Sequence, residues 1–177
     1  MKKAFLCSAA VMAGVLWAGA AVADAAQFTK GPLISQYGPV VSIPGAEMLP
    51  ADSKFMVAFD VVDKGEEGKV NRRLESAARF LNMHAAAGVD PKNIKLAVVI
   101  HGKAVFDVTK DAKYGGENAN ADLIKVLMEH GVIFHVCGQS AAYQDITSED
   151  LLPGVKMALS AMTAHAQLQQ QGYTLNP

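Results

Sequence analysis

Val132-Ile133-Phe134-His135-Val136-Cys137-Gly138-Gln139-Ser140 is the stretch on which the fold of this chain turns. Apart from His135, its first five residues are β-branched or aromatic, the composition of a buried strand. The run stops at a thiol, a glycine and two polar residues. A thiol at a strand exit, facing the loop or helix that follows, lies where open α/β sheets bind ligands. Upstream, Phe55 to Val62 and Ile94 to Ile100 are apolar runs of the same kind, as strands covered on both faces are. Helical spacing fills the intervals. Leu74, Ala77, Ala78, Leu81 and Ala85 follow a cap at Asn71 and end at Gly88; Leu123, Ile124, Leu127 and Met128 follow Asn120 and end at Gly131. Val155, Leu159, Met162 and Ala166 mark a further long helix that stops at Gly172, and Tyr173-Thr174-Leu175 forms a last strand. Strands alternating with helices predict an α/β fold, three-layer α/β/α with a mainly parallel sheet. Right-handed crossovers then gather the strands' C-terminal ends on one side, with Asp60, His101 and Cys137 at or beside them.

The N-terminus reads as an export signal over residues 1–23. Lys2 and Lys3 supply the positive start, Ala4 to Ala20 is apolar, and Ala21-Val22-Ala23 is a small-x-small cleavage site, with Ala25 the near alternative. The mature chain is therefore expected in a bacterial periplasm, free of the membrane once the signal is removed. Cys7 leaves with the signal, so Cys137 remains without an intramolecular disulfide partner in an oxidising compartment. The 16 Lys and Arg fall to 14 when Lys2 and Lys3 go, against 17 Asp and Glu, a formal charge of −3, or −2 if Asp24 is also lost. That balance argues against a nucleic-acid or anionic-membrane surface. Residues 27–52, punctuated by Gly31-Pro32, Gly38-Pro39, Pro44-Gly45 and Pro50, read as an N-terminal arm or hairpin laid on one domain spanning 54–177.

Cys137 carries the chemistry. A thiolate is the reactive form, and its pKa falls near a helix N-terminus or a cation. Gly138 lets the backbone approach a ligand, and Gln139 and Ser140 add donors for a persulfide or an anionic sulfur oxyacid. His101, ending its strand before Gly102, is placed to polarise a ligand or move a proton at Cys137; Asp60 is a third strand-end candidate. His135, two residues before Cys137 on the same strand face, reads as a buried, hydrogen-bonded ring. Tyr114 and Tyr143 read as pocket walls or packing, and Lys103 as an exposed cation. No spacing of His and Cys supports a metal site, and no glycine-rich phosphate loop or Ser/His/Asp arrangement is present. No cofactor is called for.

Val98-Val99-Ile100-His101-Gly102-Lys103-Ala104-Val105, then Val136-Cys137-Gly138-Gln139-Ser140, then Leu152-Pro153-Gly154-Val155 through Ala161-Met162-Thr163 to Gln169-Gln170-Gln171-Gly172-Tyr173 together resemble the DsrE/DsrF-like family in its exported branch. The resemblance covers the chain after Lys54. It implies a DsrEFH-like α/β/α fold, assembly into oligomers, and a link to sulfur relay in which a cysteine after a strand carries sulfane sulfur; Cys137 matches that cysteine. The chain departs from the pattern at Asn118-Ala119-Asn120, where a proline is expected between the asparagines, which bears on the local loop. The leading expectation is a periplasmic protein that carries or accepts sulfane sulfur as a persulfide on Cys137, with a sulfane-sulfur donor and a thiol acceptor as partners and a homo-oligomeric state. The alternative is a non-catalytic module that binds a small ligand or partner and whose Cys137 is structural. A thiol redox sensor is the third reading.

Overall fold

The computed structural model describes residues 27–176. The expected export signal lies outside them. Five strands, β1 (Phe55–Val61), β2 (Ile94–Ile100), β3 (Ile133–Cys137), β4 (Lys156–Ala158) and β5 (Thr174–Asn176), form one sheet in the order β4-β3-β2-β1-β5. Every pair is parallel, which confirms the α/β reading. The helices are α1 (Arg72–Ala86), α2 (Asp111–Tyr114), α3 (Ala121–Glu129), α4 (Gly138–Tyr143) and α5 (Ala161–Gln170).

Residue parity along the strands sorts the two faces. Val57, Phe59, Val98, Ile100, Phe134 and Val136 point into the main core, where they meet Leu74 and Leu81 of α1, Leu123 and Leu127 of α3 and Ala141 of α4. Ala58, Ala97 and Val99 point the other way and meet only α5 among the described helices, through Ala161, Ala164 and Leu168. The chain therefore steps outward from β1 to β4 with its crossover helices on one face. It then returns beneath the sheet through α5 to the opposite edge at β5. Asp60, His101, His135 and Cys137 share the parity of the α5 face.

One expected helix is corrected. Val155 to Gly172 is not continuous: Lys156–Ala158 is strand β4, and α5 begins only after Ser160. Ser160 is the cause, because its Oγ accepts the N–H of Thr163 at 3.0 Å and so caps a new helix start. The apparent apolar stripe misled for the same reason: Leu159 and Met162 are 72% and 80% exposed, while Ala164 and Leu168 are buried. Met157 therefore belongs to a strand, and Met162 is no core residue.

The segment before β1 makes a single antiparallel bridge, Thr29 with Val40, and its apolar residue Ile34 is buried. Asn82 of α1 fastens it. The Asn82 side chain accepts from Leu33 N and Ile34 N and donates to the carbonyls of Ile34, Tyr37 and Gly38, all within 3.1 Å. Gly31 lies so close to that amide that a side chain there would overlap it.

Candidate functional site

Asn71 caps α1 as expected, its side chain accepting from Arg73 N, and the sheet delivers three side chains to its C-terminal edge. Register pairs Ile100 with Val136 and Cys137 with Ala158, so the exits of β2, β3 and β4 lie side by side. The connection after β3 runs to one face as α4 and the connection after β4 to the other as α5. Such a divergence marks the place where ligands enter open α/β sheets. Cys137 stands at it.

Cys137 is also the N-cap of α4, with its sulfur 3.5 Å from Ser140 N. The N–H groups of Gln139 and of Ala161, the first residue of α5, face the same sulfur, as does the Ser140 hydroxyl. The sulfur thus sits at the N-terminus of α4 and beside the start of α5, where helix N–H groups carry partial positive charge. Burial pushes the Cys137 thiol up, and these four donors outweigh it, so its pKa lies below the ordinary thiol value. The residue is 6% exposed.

The residues expected around it hold that arrangement. Ser140 Oγ accepts Gly102 N–H at 3.1 Å, tying the β2 exit to the sulfur's own helix. Gly138 is pressed against β4: a Cβ there would sit 2.6 Å from the Ala158 carbonyl oxygen, so only glycine lets the two exits approach. Gln139 is exposed and donates to Leu159 O at 3.4 Å.

Asp60 and His101 do come together, but with each other. His101 Nε2 lies 3.1 and 3.2 Å from the two Asp60 oxygens. A third group, His165 of α5, places its Nε2 2.7 Å from Asp60 Oδ1. Burial pushes the Asp60 carboxyl up, and the hydrogen bonds and charge of the two histidines outweigh it, leaving its pKa below the usual carboxylate value. An ionised Asp60 only accepts, so both rings carry their proton on Nε2. The groups turned to Cys137 are backbone N–H and the Ser140 hydroxyl, while the His101 ring is turned to Asp60.

His165 escaped the sequence reading because the misplaced helix start hid it. From Ala161, positions 161, 164, 165 and 168 form one face, and His165 is the polar member of it. His135 pairs in register with Lys156 and Val99; burial first, then the Lys156 charge, holds its pKa down, so it is neutral near pH 7. Tyr143 is 87% exposed at the end of α4, not a pocket wall. Tyr114 is buried beneath Lys64, whose Nζ is 4.3 Å from the ring centroid.

A second polar cluster also went unread. Asp107, fully buried in the 3₁₀ helix Gly102–Val108, accepts from Gly65 N at 2.8 Å and from Asn71 Nδ2 at 2.7 Å. Asn118 and Asn120 sit in the same network: Asn120 Oδ1 accepts Asn71 N at 2.7 Å, and Asn118 donates to the Asp107 and Thr109 carbonyls. The Asn118-Ala119-Asn120 departure leaves this network intact. A cleft of about 240 Å³, lined by Phe59, Asp60, Arg73, Arg79 and Phe80 among others, lies at the β5 edge rather than at the sulfur. Among the described residues no His, Cys, Asp and Glu side chains are grouped to hold a metal ion, and no helix is long and apolar enough to cross a membrane.

Fold and site together define an all-parallel α/β protein with a helix-capping cysteine at its switch point. The chain belongs to the DsrE/DsrF-like family, whose model matches residues 54–177, and that family is associated with sulfur relay. Two solved structures share the fold. The protein of unknown function MTH1491 from Methanobacterium thermoautotrophicum is 21% identical, with a TM-score of 0.54 over 70% of this chain and 98% of that one. The ychN protein from E. coli is 16% identical, with a TM-score of 0.50 over 68% of this chain and 97% of that one. No curated protein matches the chain.

Proposed function

We propose that this is a periplasmic sulfur-handling protein in which Cys137 carries or accepts sulfane sulfur as a persulfide. The observation that carries the reading is the Cys137 sulfur capping α4, 3.5 Å from Ser140 N, where the exits of β3 and β4 lie side by side, with the N–H groups of Gln139 and Ala161 and the Ser140 hydroxyl as further donors. Those donors stabilise an anionic sulfur before and after loading, as preorganised dipoles do. In the first step the Cys137 thiolate attacks the outer sulfur of a donor persulfide; the S–S bond breaks, the donor leaves as thiolate, and Cys137 holds the persulfide. An acceptor thiolate then attacks that outer sulfur and Cys137 leaves as thiolate. Both steps are exchanges with no net oxidation. The export signal read at residues 1–23 supports the periplasmic location. Exposed Leu159 and Met162, which flank the first turn of α5, support contact with another protein surface, a second copy of this chain included.

Intact mass before and after incubation with a persulfide donor tests the reading. Wild type gains one sulfur atom and Cys137→Ser gains none. No gain in either protein sinks it, and that outcome favours a binding module with a structural Cys137, a reading supported by the burial of the thiol.

A further inference from the structure

Helix α5 touches both halves of the site with one face. Its entry abuts the β3 exit, since a Cβ on Gly138 would sit 2.6 Å from Ala158 O and 3.3 Å from Leu159 O, and His165, one turn into the helix, reaches Asp60 at 2.7 Å. Asp60 is held from its other side by His101, which leads directly into the Gly102–Ser140 contact that reaches the sulfur from β2. We propose that the Asp60–His101–His165 cluster is a clamp that seats the first turn of α5 against Cys137, with His165 as a positioning residue for the reactive sulfur. The inference rests on the reading of Cys137 as that sulfur.

Three observations support the clamp. The apolar residues that α5 packs against the sheet are Ala161, Ala164 and Leu168, small or single groups that resist sliding weakly. The strand before it is three residues long and lends its N-terminus little anchorage. The His165–Asp60 bond, with side chains 15% and 28% exposed, is directional and partly shielded from water. It is also the ring's one polar tie among the described residues, since Nδ1 is buried with no partner. The other charged or titratable groups nearby are Arg73 and Arg79, which line the cleft at Asp60, and His135 with its register partner Lys156, on the Cys137 face of the sheet.

The test is the rate of Cys137 alkylation by iodoacetamide across pH 5 to 9 on the whole mature protein. In His165→Ala the rate on the acidic limb falls about two- to fivefold, the size of one helix N-terminus effect, while the alkaline plateau stays. His165→Gln, which keeps an N–H donor for Asp60, recovers most of the loss. A profile unchanged in folded His165→Ala overturns the clamp, as does a folded His165→Gln that recovers nothing. Should His165→Ala fail to fold, His165→Leu, which also lacks the donor but fills more of the space, takes its place with the same expected direction, and an unchanged profile there is equally fatal. Sulfur loading is read separately by mass. Loading in wild type with an unmoved profile defeats the clamp alone; a moved profile without loading defeats the persulfide reading alone.

Discussion

At Cys137 and Asp107 the same fold gives two ionisable groups opposite treatment. Four donors reach the Cys137 sulfur and lower its pKa despite burial. Asp107 has one oxygen satisfied by Gly65 and Asn71 and the other, Oδ1, buried with no partner, so burial wins and its pKa is raised. Among the donors Ser140 alone acts through its side chain as well as its backbone. Ser140→Ala removes both the hydroxyl on the sulfur and the acceptor for Gly102 N–H, and alkylation of Cys137 near pH 7 slows about three- to tenfold, as the loss of a hydrogen bond to a charged group requires. For Asp107 the sign reverses. A carboxyl raised in the folded state costs stability above its unfolded value and costs nothing where both states are protonated. Asp107→Asn therefore raises the denaturation midpoint at pH 7, and the gain shrinks as pH falls through the raised folded value toward the unfolded 3.8. A gain that persists unchanged at pH 3 counts against this account.

At the scale of elements, the site depends on how closely β3–α4 and β4–α5 approach. Gly138→Ala drives a methyl group to 2.6 Å from the Ala158 carbonyl and must part the two connections. The expected cost is about 1–3 kcal/mol by chemical denaturation, together with slower thiol alkylation at neutral pH. Asn82 governs a different junction. Asn82→Ala leaves the Leu33 and Ile34 N–H groups and three carbonyls without their partner; stability drops by about 2–4 kcal/mol and limited proteolysis cuts first within residues 31–40. Cleavage elsewhere, with those residues protected, would show that the arm is held by other contacts. Helix α1 was legible because its cap and its apolar period agree. The β4–α5 boundary was not, because Val155, Leu159 and Met162 imitate a helical stripe across a strand and a turn.

For the whole molecule, His135 and Asp60 are two partly buried groups whose contributions are lost on the acid side of the stability curve. His135 has its pKa lowered by burial and then by Lys156, so the unfolded chain binds the proton more readily. Its contribution is present above the unfolded value of 6.5 and is lost as pH falls through it toward the folded one. Asp60, also lowered, contributes above 3.8 and that part is lost as pH falls further. Thermal stability should accordingly show a first decline as pH falls below 6.5, which His135→Gln flattens; further down, the loss at Asp60 runs against the relief of the Asp107 cost. A first decline unaltered in that variant assigns it to another group.

The apolar runs at 55–62, 94–100 and 132–137 and the capped helical periods between them determined a parallel α/β fold by themselves, because buried strands and amphipathic helices write their periodicity locally. The strand-exit positions of Asp60, His101 and Cys137 followed from the same pattern. Which of these side chains meet was decided by tertiary structure. The return of α5 beneath the sheet brings His165 to Asp60 over a separation of 105 residues and Ala161 to Cys137. The burial of Asp107 likewise arises where segments distant in sequence close over it. Such meetings depend on where a helix crosses and how closely two strand exits approach, and the local residue pattern carries no record of either.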